Sequence, residues 1–206
     1  MTPRLLCLLG AECTGKTSLA QALAAVLPAV WVPEYLRHFC IQHGRTPQRE
    51  EQSHIAEQQQ AAETAALAQA QAQGLAWVVC DTAPLLTAVY SDYVFSDDSL
   101  YPLARSAQQR YALTLFLQPD FPWQADGLQR DGAQARSAVQ VILEREMALN
   151  TGPWQSLTGS PAQRLAQVLK MTEIYKEMAS SPYKKGTSSY QKYSKLGRTV
   201  PRPEAQ

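Results

Sequence analysis

Short apolar runs alternate along this chain with longer stretches in which apolar residues recur every three or four positions. The first run, Arg4-Leu5-Leu6-Cys7-Leu8-Leu9, has the length of one buried strand. Leu19, Leu23, Val26 and Leu27 then follow helical spacing, and Pro28 ends the pattern. Ala29-Val30-Trp31-Val32 predicts a second strand ending at Glu34, where a helix starts. Ala76-Trp77-Val78-Val79-Cys80-Asp81-Thr82 and Tyr111-Ala112-Leu113-Thr114-Leu115-Phe116-Leu117 predict a third and a fourth. Gln155 to Ser160 predicts a short fifth strand and a turn.

Helical patterns fill the intervals. Residues 46–74 are rich in Gln, Ala and Glu, which favours a long helix with a weak apolar stripe (Ile55, Ala62, Ala66, Leu67), half exposed. Further helices are expected over about 84–94 and 98–109, from near Arg136 to Leu149, and from Pro161 onward. Strands alternating with helices point to an α/β fold: a parallel five-stranded sheet flanked by helices and built with right-handed crossovers.

Between the first strand and the first helix lies Gly10-Ala11-Glu12-Cys13-Thr14-Gly15-Lys16-Thr17. It fits the phosphate-loop pattern G-x-x-x-x-G-K-[ST] at every fixed position. The glycines allow the backbone to wrap an anion, and the N–H groups of residues 10–18, from Gly10 through Glu12, Cys13 and Thr14 to Ser18, form the nest. Lys16 is expected on the β- and γ-phosphates and the Thr17 hydroxyl on Mg²⁺. ATP and Mg²⁺ are therefore the expected cofactors. Asp81 ends a neighbouring strand, where a metal-facing carboxylate is needed, although an Asp there also caps a helix well.

Glu34 ends the second strand, on the side where ligands bind such sheets. A carboxylate there suits the base that takes a proton from an attacking hydroxyl; the alternative is an acid favoured by the helix dipole. Arg37 lies on the same helical face and either binds substrate or pairs with Glu34. Arg130 and Arg136, in a glycine-bearing polar segment, suit stabilisation of a transferring phosphoryl group; the alternative is a pair of solvated arginines beside Asp126 and Asp131. Tyr35, Tyr90 and Tyr93, with Trp31, offer faces for a flat or cationic ring, or pack the core.

A chain of 206 residues accommodates one substantial domain. We expect it over residues 1–179, followed by a flexible tail, 180–206, that carries six basic residues against Glu204 and leaves the domain mildly acidic. No apolar run approaches a membrane span, and the first is too short for a signal peptide. Cys7, Cys13, Cys40 and Cys80 have no metal or redox spacing, which suits free thiols in the cytoplasm.

GAECTGKTSL, VPEYLRHF, VVCDT and PWQADGLQR, in that order, resemble the ribosylnicotinamide kinase domain of bacterial NadR-like proteins over residues 4–170. The Glu-Tyr-x-Arg element and the Asp-Gly-Leu element are more telling than the phosphate loop. The resemblance implies a P-loop NTPase fold of kinase-type strand order, with the Asp81 strand beside the first. It implies phosphorylation of the ribose 5′-hydroxyl of nicotinamide riboside by ATP and Mg²⁺, giving nicotinamide mononucleotide. By position, Lys16 and Thr17 would serve phosphates and metal, Asp81 metal or hydroxyl, Glu34 and Arg37 the acceptor, and Arg130 the lid. The full bifunctional members carry an adenylyltransferase domain ahead of this one. With the phosphate loop at residue 10, a stand-alone kinase is expected. The lid reads Asp-Gly-Leu-Gln-Arg, one place longer than the family's Asp-Gly-Leu-Arg, which leaves Arg130 and Arg136 as alternatives. Other acceptors, such as another nucleoside or thiamine, keep the same fold. A slow ATP-hydrolysing switch is the reading from another class, and nucleic-acid binding by the basic tail is disfavoured by the acidic domain.

Overall fold

The computed structural model describes residues 2–124 and 132–180. Its elements are β1 (Arg4–Leu9), α1 (Lys16–Val26), β2 (Ala29–Val32), α2 (Tyr35–His43), α3 (Gln52–Ala72), β3 (Trp77–Asp81), α4 (Pro84–Phe95), α5 (Tyr101–Gln108), β4 (Tyr111–Leu117), α6 (Ala133–Leu149), β5 (Trp154–Leu157) and α7 (Pro161–Ser180). The chain divides into two compact units, Met1–Gln167 and Val168–Gln206. The sheet and the clefts described below belong to the first. Of the second, residues 168–180 are the C-terminal part of α7, and the expected tail from 181 on lies outside the described residues.

All pairings are parallel and the strand order is β2-β3-β1-β4-β5. β1 is central, and β3 lies beside it with Leu8 opposite Asp81. That register brings the end of β1, two residues before the phosphate loop, level with the carboxylate at the end of β3. Helices cover both faces, so β1 is apolar on both sides: Leu5 to Leu9 are all 3% exposed or less. Leu5, Cys7 and Leu9 share one cluster with Val78 and Cys80 and with side chains of α3, α4 and α6. Alternation sends Leu6 and Leu8 to the other face, and α1 packs against β2 and β3.

Two boundaries differ from the sequence expectation, each for a local reason. β2 stops at Val32 because Pro33 has no N–H for the ladder, and Glu34 instead stands at the N-cap of α2 with extended backbone. The long helix opens with a 3₁₀ turn, Arg49–Glu51, where the Glu51 carboxylate accepts from the Gln48 N–H at 2.7 Å. The helix is about half exposed, as its composition suggests, but its buried face includes polar side chains. Glu63 is fully buried, accepting from the Tyr111 hydroxyl at 2.7 Å and pairing with Arg110 at 3.2 Å.

Candidate active site

The phosphate loop leaves the central strand and turns at once into α1. A Cβ on Gly10 would stand 2.8 Å from the Leu117 carbonyl and 2.9 Å from the Thr14 hydroxyl, so only glycine fits beside β4. Gly15 has φ 82 and ψ 22, the left-handed conformation that glycine adopts without strain. Cys13 reaches the left-handed region too, at φ 53. The Thr14 hydroxyl donates to the Ala11 carbonyl at 2.9 Å and braces the curve. No side chain caps α1, so its first N–H groups are left for an anion. Lys16 Nζ donates to the Gly10 carbonyl at 2.9 Å and the Ala11 carbonyl at 3.0 Å.

Asp81 is 1% exposed, and its Oδ1 has no hydrogen-bond partner among the described residues. The Thr17 hydroxyl stands near the same carboxylate and favours its charged form. Burial pushes the Asp81 carboxyl up from its ordinary value, offset by Thr17, Lys16 and Arg37. The next residue, Thr82, is buried at φ 80, a strained backbone for a β-branched residue. The strain lies at the carboxyl end of the strand, where the polar groups gather.

Glu34 has a side chain only 12% exposed, 3.9 Å from Arg37 Nε. Burial raises its carboxyl, the charges of Asp81 and Glu12 add to that, and Lys16 and Arg37 oppose it. A cleft of about 440 Å³ is lined by residues 12–18 of the phosphate loop and α1 together with Glu34, Arg37 and Tyr90. Leu36, Leu86, Val94 and Phe95 give it apolar wall, and Thr46 and Pro47 also line it. A second cleft, about 540 Å³, shares Cys13, Gly15 and Ser18 with the first and is bounded by Phe121, Pro122, Pro161 and Arg164.

The structure brings the phosphate loop, Thr17, Asp81, Glu34, Arg37 and Tyr90 to one end of the sheet. Tyr35 and Tyr93 are not in the lining of either cleft. Tyr35 turns to α3, with its N–H donating to Gln59 Oε1 at 2.9 Å and its ring beside His38 and His54. Tyr93 is 38% exposed. Arg136 is buried in the first turn of α6, donating from Nη1 to the Phe121 carbonyl at 2.8 Å, and does not line either cleft. Arg130 lies outside the described residues.

Two participants went unread in the sequence. Arg164 is 1% exposed and donates to the Thr14 carbonyl at 2.6 Å, the Gln118 carbonyl at 2.8 Å and the Gly159 carbonyl at 2.9 Å. It also pairs with Asp120 at 2.9 Å and lies over the Phe121 ring at 4.6 Å. Trp123 donates from its indole N–H to Glu12 at 3.4 Å. Only the glycine at 159 and the proline at 161 marked the turn that Arg164 anchors.

Comparison with known proteins follows from this geometry. The family model described as AAA domain matches residues 5–164. No curated protein matches the sequence. A structure of NadR protein in complex with NR superposes at TM-score 0.71 with 18% identity, covering 90% of this chain and 52% of that one. NadR in complex with NAD and AMP-PNP gives 0.66 with 17% identity and the same coverages. This chain thus spans about half the length of those NadR chains. Thymidylate kinase from Candida albicans superposes at 0.60 with 14% identity, covering 85% of this chain and 93% of that one. At these identities the likeness is one of fold, and it is the P-loop kinase fold. No helix among the described residues is long and apolar enough to cross a membrane. With the family model spanning the phosphate loop, the strands of the sheet and Arg164, the chain belongs to the AAA domain family.

Proposed function

We propose that this chain is an ATP-dependent small-molecule kinase, phosphorylating the ribose 5′-hydroxyl of nicotinamide riboside to nicotinamide mononucleotide in NAD salvage. One observation carries the reading: a single cleft is lined both by the phosphate cradle and by a largely buried carboxylate beside an arginine, Glu34 and Arg37. The 18%-identical fold neighbour solved in complex with NR adds support for the acceptor.

In this reading the triphosphate lies on the loop N–H groups and the base enters the second cleft, against Phe121. Lys16 exchanges its two carbonyl partners for phosphate oxygens. Glu34 accepts the proton of the attacking hydroxyl at its carboxylate, and Arg37 keeps that carboxylate oriented and its charge partly balanced. Arg136 fixes the segment at Phe121, and Arg130 remains the candidate for contact with the transferring group. Thr17 and Asp81 fit Mg²⁺: a hydroxyl and a carboxylate stand together, with one carboxylate oxygen unused. The ion, when bound, would neutralise phosphate charge.

The test is ADP release from ATP and Mg²⁺ with nicotinamide riboside, common nucleosides and thiamine. Stimulation by nicotinamide riboside supports the reading. Stimulation by another nucleoside instead would keep the mechanism and change the acceptor, an outcome favoured by the likeness to a deoxyadenosine kinase from M. mycoides at TM-score 0.56, with 10% identity, covering 82% of this chain and 99% of that one. Hydrolysis indifferent to every acceptor would overturn it.

A further inference from the structure

Glu12 is a variable position of the phosphate-loop pattern, yet it is 8% exposed, and its two oxygens are engaged by different parts of the fold. Oε1 accepts from the Tyr90 hydroxyl at 3.1 Å. Oε2 accepts from the Trp123 indole N–H at 3.4 Å. Tyr90 belongs to α4 and lines the first cleft. Trp123 belongs to the segment Phe121–Gln124, three residues of which line the second.

That segment lies along the phosphate loop. The Phe121 ring stands 3.4 Å from where a Cβ on Gly15 would be, and the Gln124 N–H reaches Cys13 Sγ at 3.4 Å. The Glu12 contact continues through Tyr90 to the wall of the first cleft. We propose that Glu12 is a positioning residue that couples the acceptor wall at Tyr90 to the nucleotide-side segment at Trp123. The inference rests on the kinase reading for the identity of the two clefts.

The physical basis is a shared carboxylate. A buried carboxylate that accepts from both donors sets the position of each relative to the other. A change that draws the Tyr90 hydroxyl away alters the forces on Glu12, and the indole on Oε2 shifts with it. A ligand touching Tyr90 thereby changes the position of the segment beside the nucleotide. Linkage makes the effect reciprocal: a nucleotide that moves Phe121–Gln124 changes the acceptor wall equally. The loop sequence alone predicts Glu12 only as backbone in the anion nest; its side chain does separate work.

The experiment needs no acceptor. The affinity of AMP-PNP with Mg²⁺ is measured for the wild type, Tyr90→Phe, Glu12→Ala and the double variant, with thermal melts to establish folding. Tyr90→Phe should weaken AMP-PNP about threefold or more when Glu12 is present, and leave it unchanged in the Glu12→Ala background. It should also shift the Trp123 emission, isolated by subtracting the spectrum of Trp123→Phe, only when Glu12 is present. An effect of Tyr90→Phe that is the same with and without Glu12, zero included, overturns the proposal. Absence of AMP-PNP binding to the wild type would instead remove the kinase reading, and this inference with it. Failure to phosphorylate nicotinamide riboside leaves the test intact.

Discussion

The hydroxyl of Thr17 stands near the carboxylate of Asp81 and favours its charged form, bringing the first turn of α1 to the carboxyl end of β3. Two segments over sixty positions apart in sequence thus meet at the one place where a phosphate-bound cation would need both. Asp81 is held there at a cost, since its Oδ1 is buried without a partner among the described residues. Asp81→Asn should therefore lower phosphoryl transfer by ~10²-fold or more while leaving the melting temperature unchanged or higher. Activity assays beside thermal denaturation check both halves. A large loss of stability would make Asp81 a structural residue first.

Lys16→Ala removes a cation whose present partners are the Gly10 and Ala11 carbonyls. Both carbonyls belong to the loop, so the curve braced by Thr14 should survive. Phosphoryl transfer should fall by ~10²-fold or more with little change in the melt. Full ADP production by this variant would end the kinase reading.

Glu34→Gln should reduce kcat by ~10²-fold or more if this carboxylate is the base. The pH profile gives a second readout. Burial raises the Glu34 carboxyl, and a base works only when ionised. The acid limb of kcat/KM should therefore fall at a higher pH than an ordinary glutamate would give, and the variant should lose that limb. An unchanged kcat would move the role to Asp81 or to no base at all.

Glu63 offers a prediction about stability. Burial raises its carboxyl to about 7, against the opposing contacts of Tyr111 and Arg110. The folded state then binds the proton more tightly than the unfolded chain. This contribution is complete below the ordinary glutamate value and is lost as pH rises through about 7. Urea denaturation from pH 4.5 to 8 should show wild-type stability falling relative to Glu63→Gln. The opposite slope would mean that Arg110 and Tyr111 outweigh burial.

Arg164→Met removes four hydrogen-bonded partners of a buried guanidinium. It should cost about 3 kcal/mol or more in urea unfolding. Arg164→Lys keeps the charge and loses the fork, so AMP-PNP affinity should drop about tenfold, in line with a bidentate site. Equal affinity in the lysine variant would confine Arg164 to stability.

The parts legible in the sequence were those whose chemistry is local. Gly10 to Thr17 carries its own spacing, and the apolar run before Asp81 marks a strand end without any knowledge of its neighbours. Arg164 was illegible because its partners, at residues 14, 118, 120 and 159, come from three other loops. Glu63 looked like one more polar residue of a Gln- and Ala-rich helix, and only the packing of Tyr111 and Arg110 onto it makes it internal. Tyr35 and Tyr93 were assigned by nearness in sequence to the site. Their directions follow from helix rotation, which aromatic content does not encode.

The bond from Arg164 to the Thr14 carbonyl also has a meaning for synthesis. The phosphate loop leaves the ribosome before the strands that surround it, yet one of its braces comes from a residue made 150 positions later. A nascent chain ending before α7 has the glycines, the lysine and the threonine, and still lacks the anchor that ties the loop to the strand ends around it. A loop made before most of its sheet is thus completed only after all of it, and nucleotide cannot fully assist folding until the sheet has emerged.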